Sequence, residues 1–66
     1  MPLKWIDVQE LAVALVEAHA DVDPRHVNFV DLRNWVMQIP EFDDDPARCG
    51  EKVLEAIQMA WIDEAD

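Results

Sequence analysis

Four prolines, at positions 2, 24, 40 and 46, punctuate this chain, and the stretches between them carry apolar residues at helical spacing. Proline inside a helix removes a hydrogen bond and clashes with the preceding turn, so it marks where helices stop or start. Val8, Leu11, Ala12, Leu15 and Val16 fall on one face of a helix. Their spacing predicts a helix over 8–18. Asp7 and Glu10 are spaced as a capping box, and Ile6 and Leu11 stand at the positions of a hydrophobic staple. Leu32, Trp35, Val36 and Ile39 repeat the pattern until Pro40 ends it, which predicts a helix over 32–39 with Asp31 as its cap. Val53, Leu54, Ile57, Ala60 and Trp61 predict a third helix over 51–63. Between the first two, Asp23-Pro24 suits a single helical turn, and Val27-Asn28-Phe29-Val30 reads as an extended, apolar connector.

These three amphipathic pieces predict an all-α fold with at most very short strands. The expected core is Leu11, Leu15, Leu32, Trp35, Val36, Leu54, Ile57 and Trp61. Trp5, ahead of the first helix, is the tryptophan with the weakest claim to burial. The chain has 66 residues, enough for a single domain over 1–66. A chain of this size buries only about 60% of the surface its unfolded form exposes. Its large apolar residues are therefore needed for the core, and few are left to wall off a deep catalytic pocket.

Charge separates the remaining function classes. Fifteen acids against five bases give a net charge of -10. A hydrophobic core does not require that charge, and self-repulsion costs stability. Solubility is one use for it; a surface made for basic proteins or cations is another. Nucleic acid is not an expected partner, because phosphate binding relies on Lys and Arg, which are few and scattered here. No run of about 20 apolar residues is present to cross a membrane. No basic-plus-apolar leader is evident, and one cysteine, Cys49, has no internal disulfide partner. A reducing cytoplasm is the expected location.

Asp43-Asp44-Asp45 is the densest acidic feature. A solvated loop in which Asp45 caps a turn begun by Pro46 accounts for Asp45, but not for Asp43 and Asp44. Three adjacent carboxylates repel one another, and a hard, oxygen-preferring cation relieves that repulsion. The spacing does not make an EF-hand, since Arg48 and Leu54 fall where its glycine and bidentate glutamate belong. Glu51 and Glu55, one helical turn apart, form an acidic ridge, which in the simplest case is a solvated face. Asp63-Glu64-Ala65-Asp66 places carboxylates at a helix C-terminus, against the macrodipole. That is either a frayed tail or a negative field kept for a partner. His19 and His26 lack the spacing of a helical metal pair. Cys49 has no second cysteine for zinc and no neighbouring base, with only Arg48 beside it to activate it as a nucleophile. No nucleophile–base pair or glycine-rich phosphate loop points to an enzyme.

Several stretches, taken together in this order, carry a resemblance. They are Leu3-Lys4-Trp5, Asp23-Pro24, Val27-Asn28-Phe29, Asp31-Leu32 with Trp35, Phe42-Asp43-Asp44-Asp45-Pro46, Glu51-Lys52-Val53-Leu54-Glu55-Ala56-Ile57 and Trp61-Ile62-Asp63-Glu64. Over the whole chain they resemble the IscX family, small acidic proteins of bacterial iron–sulfur cluster assembly. The resemblance implies a compact helical fold described as a modified winged helix. It also implies binding to the cysteine desulfurase that supplies sulfur for clusters, and weak binding of iron (ferrous or ferric) through surface carboxylates. Where relatives carry Ser-Asn before the Glu-Lys pair, this chain has Cys49-Gly50, which leaves open how the last helix is capped.

The sequence thus predicts an adaptor or regulator that docks an acidic face on a basic patch of the desulfurase, with other cluster-assembly proteins as further partners. Asp43, Asp44, Asp45, Glu51 and Glu55 are the candidate iron ligands. Asp43, Asp44, Glu51, Glu55, Asp63 and Glu64 are the candidate partner-binding residues. The alternative is a stand-alone iron buffer or donor whose protein contacts are incidental. A DNA-binding winged helix is a third reading, opposed by the charge.

Overall fold

The computed structural model describes residues 2–65. It contains three α-helices and one short 3-10 helix: α1 (Val8–Ala18), α2 (Phe29–Met37), the 3-10 turn Pro46–Arg48, and α3 (Glu51–Ala65). The all-α class is as the apolar spacing requires. α1 packs chiefly on α3. Gln9 near the start of α1 donates through Nε2 to Glu64 Oε1 near the end of α3, so the two helices run antiparallel. α2 lies against this pair, with more contact to α3 than to α1. The β structure among the described residues is one isolated parallel bridge between Leu3 and Phe42. The described residues hold no β-hairpin of the kind that makes a wing.

The core is Trp5, Leu11, Ala12, Leu15, Leu32, Val36, Ile39, Leu54, Ile57 and Trp61, and it contains no polar or charged side chain. Seven of the eight expected core residues are buried there. Trp35 is not: it is half-buried and packs at the edge of the core. The tryptophan buried against expectation is Trp5, only 2% exposed. Its indole meets Phe42 edge-on, with centroids 4.7 Å apart and planes at 68°, a favoured aromatic geometry.

The helix ends depart from expectation at specific atoms. α1 has the predicted bounds, and Asp7 is its N-cap residue, but its carboxylate does not cap. Asp7 Oδ2 instead accepts the Lys4 backbone N–H at 2.8 Å, facing away from the helix. The capping box with Glu10 therefore does not form. Ile6 is 85% exposed while Leu11 is buried, so the staple does not form either.

α2 starts three residues earlier than expected. Asn28, with extended backbone, is its N-cap: Asn28 Oδ1 accepts the Asp31 N–H at 2.8 Å, and Asn28 Nδ2 donates to Asp31 Oδ2 at 3.1 Å. This reciprocal pair draws Phe29 and Val30 into the helix. The expected extended stretch thus ends at Asn28, and Asp31 is the cap's partner in the first turn and not the cap. α2 stops at Met37, yet Ile39 remains buried beyond its end.

Asp23-Pro24 makes a turn, not a helical turn. The His26 N–H donates to the Asp23 carbonyl at 3.0 Å, and Asp23 Oδ1 accepts the Arg25 N–H. Gln58 Nε2 of α3 donates to the Pro24 carbonyl at 2.8 Å and ties this connector down. α3 runs to Ala65, past Asp63. The Gly50 carbonyl accepts the Leu54 N–H at 3.1 Å, which opens α3 with a residue that has no side chain to cap it.

Candidate functional site: the acidic loop and the strap beneath it

The loop at 41–45 owes its shape to the chain's N-terminal segment. The Leu3 N–H donates to the Glu41 carbonyl at 2.7 Å, and the Asp43 N–H donates to the Leu3 carbonyl at 2.8 Å. Residues 3–5 therefore lie along the loop as a strap. Trp5 anchors the strap in the core and reaches back to the loop, donating from Nε1 to the Asp45 carbonyl at 2.8 Å.

The three aspartates that follow have three different roles. Asp44 is turned inward, with its side chain 11% exposed. Its Oδ2 accepts the Trp5 backbone N–H at 3.0 Å, and its Oδ1 accepts the Asp45 N–H at 2.7 Å. These two donors, the Trp5 N–H foremost, hold its carboxyl below the usual carboxylate range, helped by the charges of Arg48 and Lys4 and opposed by partial desolvation. Arg48 Nη1 stands 3.9 Å from Oδ1. Asp45 caps the 3-10 turn as the sequence suggested: Oδ1 accepts the Ala47 N–H at 2.9 Å. Asp43 faces solvent, its side chain 81% exposed, with Lys4 Nζ 4.0 Å from Oδ2. Lys4 Nζ also donates to the Asp43 carbonyl.

The fit to a bound cation follows from these partners. An oxygen-ligated ion takes several carboxylates aimed at one point. Here Asp44 and Asp45 aim theirs at backbone N–H groups, and Asp43 points outward. Among the described residues, no group of three or more His, Cys, Asp or Glu is arranged to hold a metal ion. Among the described residues, the loop's carboxylates are therefore not gathered at one point.

Glu51 and Glu55 are both exposed on α3, as is Asp63. Glu64 is exposed but bound to Gln9. Asp66 lies outside the described residues. Along α3, Glu51 and Asp63 are about 18 Å apart at 1.5 Å per residue, so the tail acids are a separate patch from the start of the helix. Cys49 is partly covered. Burial raises its thiol pKa, offset in part by the charge of Arg33, so it is held as the unreactive thiol at neutral pH. Lys4, Trp5 and Gln9 are the residues that reading the acids alone did not bring into the site. The first two belong to the Leu3-Lys4-Trp5 stretch, which carries part of the family resemblance.

No helix among the described residues is long and apolar enough to cross a membrane. A family model described as iron–sulphur cluster assembly matches residues 3–66. An uncharacterized protein of Pseudomonas aeruginosa is 67% identical over 66 residues, covering the whole of both chains. The strap, the aspartate loop and α3 all fall inside the matched region. The chain belongs to the iron–sulphur cluster assembly family that its motifs resemble, the IscX family.

Proposed function

We propose that this protein is a non-catalytic adaptor or regulator in cluster assembly, docking on a basic patch of the cysteine desulfurase and holding iron only loosely. The observation that carries this reading is the division of labour in the aspartate loop. Asp44 and Asp45 are spent on fixing the backbone, and the fixed loop holds Asp43 out to solvent. A net charge of -10 surrounds it. An ordered acidic loop that faces outward suits a macromolecular basic surface better than a chelated ion. Glu51, Glu55, Asp63 and Glu64 extend the same negative field, and other assembly proteins with basic patches are further candidates for it. Iron, in this reading, is a second ligand gathered by exposed carboxylates that must be ordered as it binds, at an entropic cost. Asp43 leads the candidates, with Glu51 and Glu55 beyond the loop.

The test is a titration of the protein against the desulfurase, with and without ferrous iron, at two salt concentrations. Binding that needs no iron and weakens with salt supports the adaptor. Iron binding with no measurable desulfurase binding would replace it with the alternative, an iron buffer or donor. Ligand assignment calls for Asp43→Asn alone, read by paramagnetic broadening of backbone NMR signals. Substituting Asp44 as well would unfasten the strap and mix a structural loss with a loss of charge.

A further inference from the structure

On the molecule's surface, α1, α2 and the start of the 39–41 connector enclose an open groove of about 450 Å³. Its lining includes Ala14, Glu17 and His19 from α1 and its end, Trp35 from α2, and Ile39 and Glu41 beyond it. Two features mark it. The first is aromatic. His19 lies nearly parallel to the Trp35 ring, with centroids 4.5 Å apart and planes at 26°. Trp61 braces Trp35 edge-on at 6.1 Å. Both lining rings are only half-buried, so ring surface is left to a ligand. The second is electrostatic. The groove's charged lining residues are two exposed carboxylates, Glu17 and Glu41, with no lysine or arginine among the lining residues.

We propose that this groove is a docking subsite for an arginine side chain on a basic segment of a partner protein. A planar guanidinium stacks on aromatic faces and gives N–H bonds to carboxylates within one group. An apolar stem of three methylenes suits a floor of Ala14 and Ile39. Lysine meets the carboxylates equally well but offers a compact, strongly hydrated charge with no plane to stack. The subsite stands whether or not the partner is the desulfurase, because it rests on the groove's own lining.

The test uses short capped peptides of four arginines, four lysines or four citrullines, followed by backbone and indole NMR signals of the full chain. The expected result is shifts at Glu17, His19, the Trp35 indole and Glu41. The arginine peptide should bind about two- to fivefold more tightly than the lysine peptide, since both carry the charge and only the guanidinium adds a planar stacking contact. Citrulline, planar but uncharged, should not bind measurably. Glu17→Gln with Glu41→Gln, both exposed and free of core contacts, should weaken arginine binding several-fold while leaving the NMR fingerprint folded. Trp35→Phe, which keeps a ring, should narrow the arginine-over-lysine preference. Equal affinity for the two cationic peptides would overturn the proposal. So would shifts confined to Asp43, Asp63 and Glu64, or unchanged affinity in the double glutamine variant. Concentration-dependent shifts in the groove without peptide would assign it to a second copy of this chain and would equally overturn it.

Discussion

Asp43 and Asp44 are adjacent, identical in chemistry and opposite in role. Asp44 places one oxygen on each of two backbone N–H groups, and asparagine has only one oxygen to offer. Asp44→Asn therefore turns an NH2 group toward one of those donors. We expect it to lower the Tm by several degrees, while Asp43→Asn, on the solvent side, changes it little. The acid dependence follows from the direction of the shift. The Asp44 carboxyl is held below its ordinary value in the folded state. Its contribution is therefore complete above the usual carboxylate range and is lost progressively as pH falls below that range and through the folded pKa. Urea midpoints at pH 7 and pH 3 check this. The gap between wild type and Asp44→Asn should be widest at pH 7 and smaller at pH 3. The contrast between the two aspartates was not legible in sequence, because it depends on a backbone N–H from 39 positions away. Trp5 was hidden for the same reason. No periodicity reaches it, and it is buried by a loop distant in sequence.

At the scale of elements, legibility tracked locality. The bounds of α1 and the start of α3 follow from apolar spacing, and the structure keeps both. The start of α2 did not, although its cap was present as Asn28 with Asp31 three residues on. The apolar run at 27–30 outweighed a polar pair that was read only in part. The capping box at Asp7 failed in the opposite way: the right residues were there, and Lys4 captured the carboxylate. The same competition shapes the loop, since backbone donors engage two of its three carboxylates. α3 offers a direct check on capping. Gly50 precedes it with no positive φ, and a Cβ built there meets nothing within 4 Å. Gly50→Ser should then add a side-chain cap and reduce the freedom of the unfolded chain. We expect a gain of about 0.5–1 kcal/mol in unfolding free energy, measured by denaturant titration.

For the whole molecule, the same charge acts in two directions. A net charge of -10 on a 66-residue chain strains the compact state by self-repulsion. In the proposed reading it also draws basic partners, over distances that salt cuts to about 8–10 Å. Raising sodium chloride from low to physiological levels should therefore raise the Tm of the free protein and, on the proposed reading, weaken its association with a desulfurase. Calorimetry on the protein alone and a binding isotherm across the same salt series check both. Opposite slopes would attribute both effects to the acidic surface, and a flat Tm would mean that the acids are too well dispersed to repel. Charge was fully legible in the sequence. Its arrangement was not, because which acids face outward is decided by the strap and the caps.

The strap has a consequence in time. The bonds of Leu3 and Trp5 to Glu41, Asp43, Asp44 and Asp45 join residues about 40 positions apart, while the helices need only near neighbours. Closing so long a loop costs entropy before any contact rewards it. As the chain folds, residues 3–5 stay unpaired, with Trp5 uncovered, until the loop at 41–45 is brought to them. A chain cut short after α2 therefore leaves the Trp5 indole without the Asp45 carbonyl it donates to and without the Phe42 ring that packs edge-on against it.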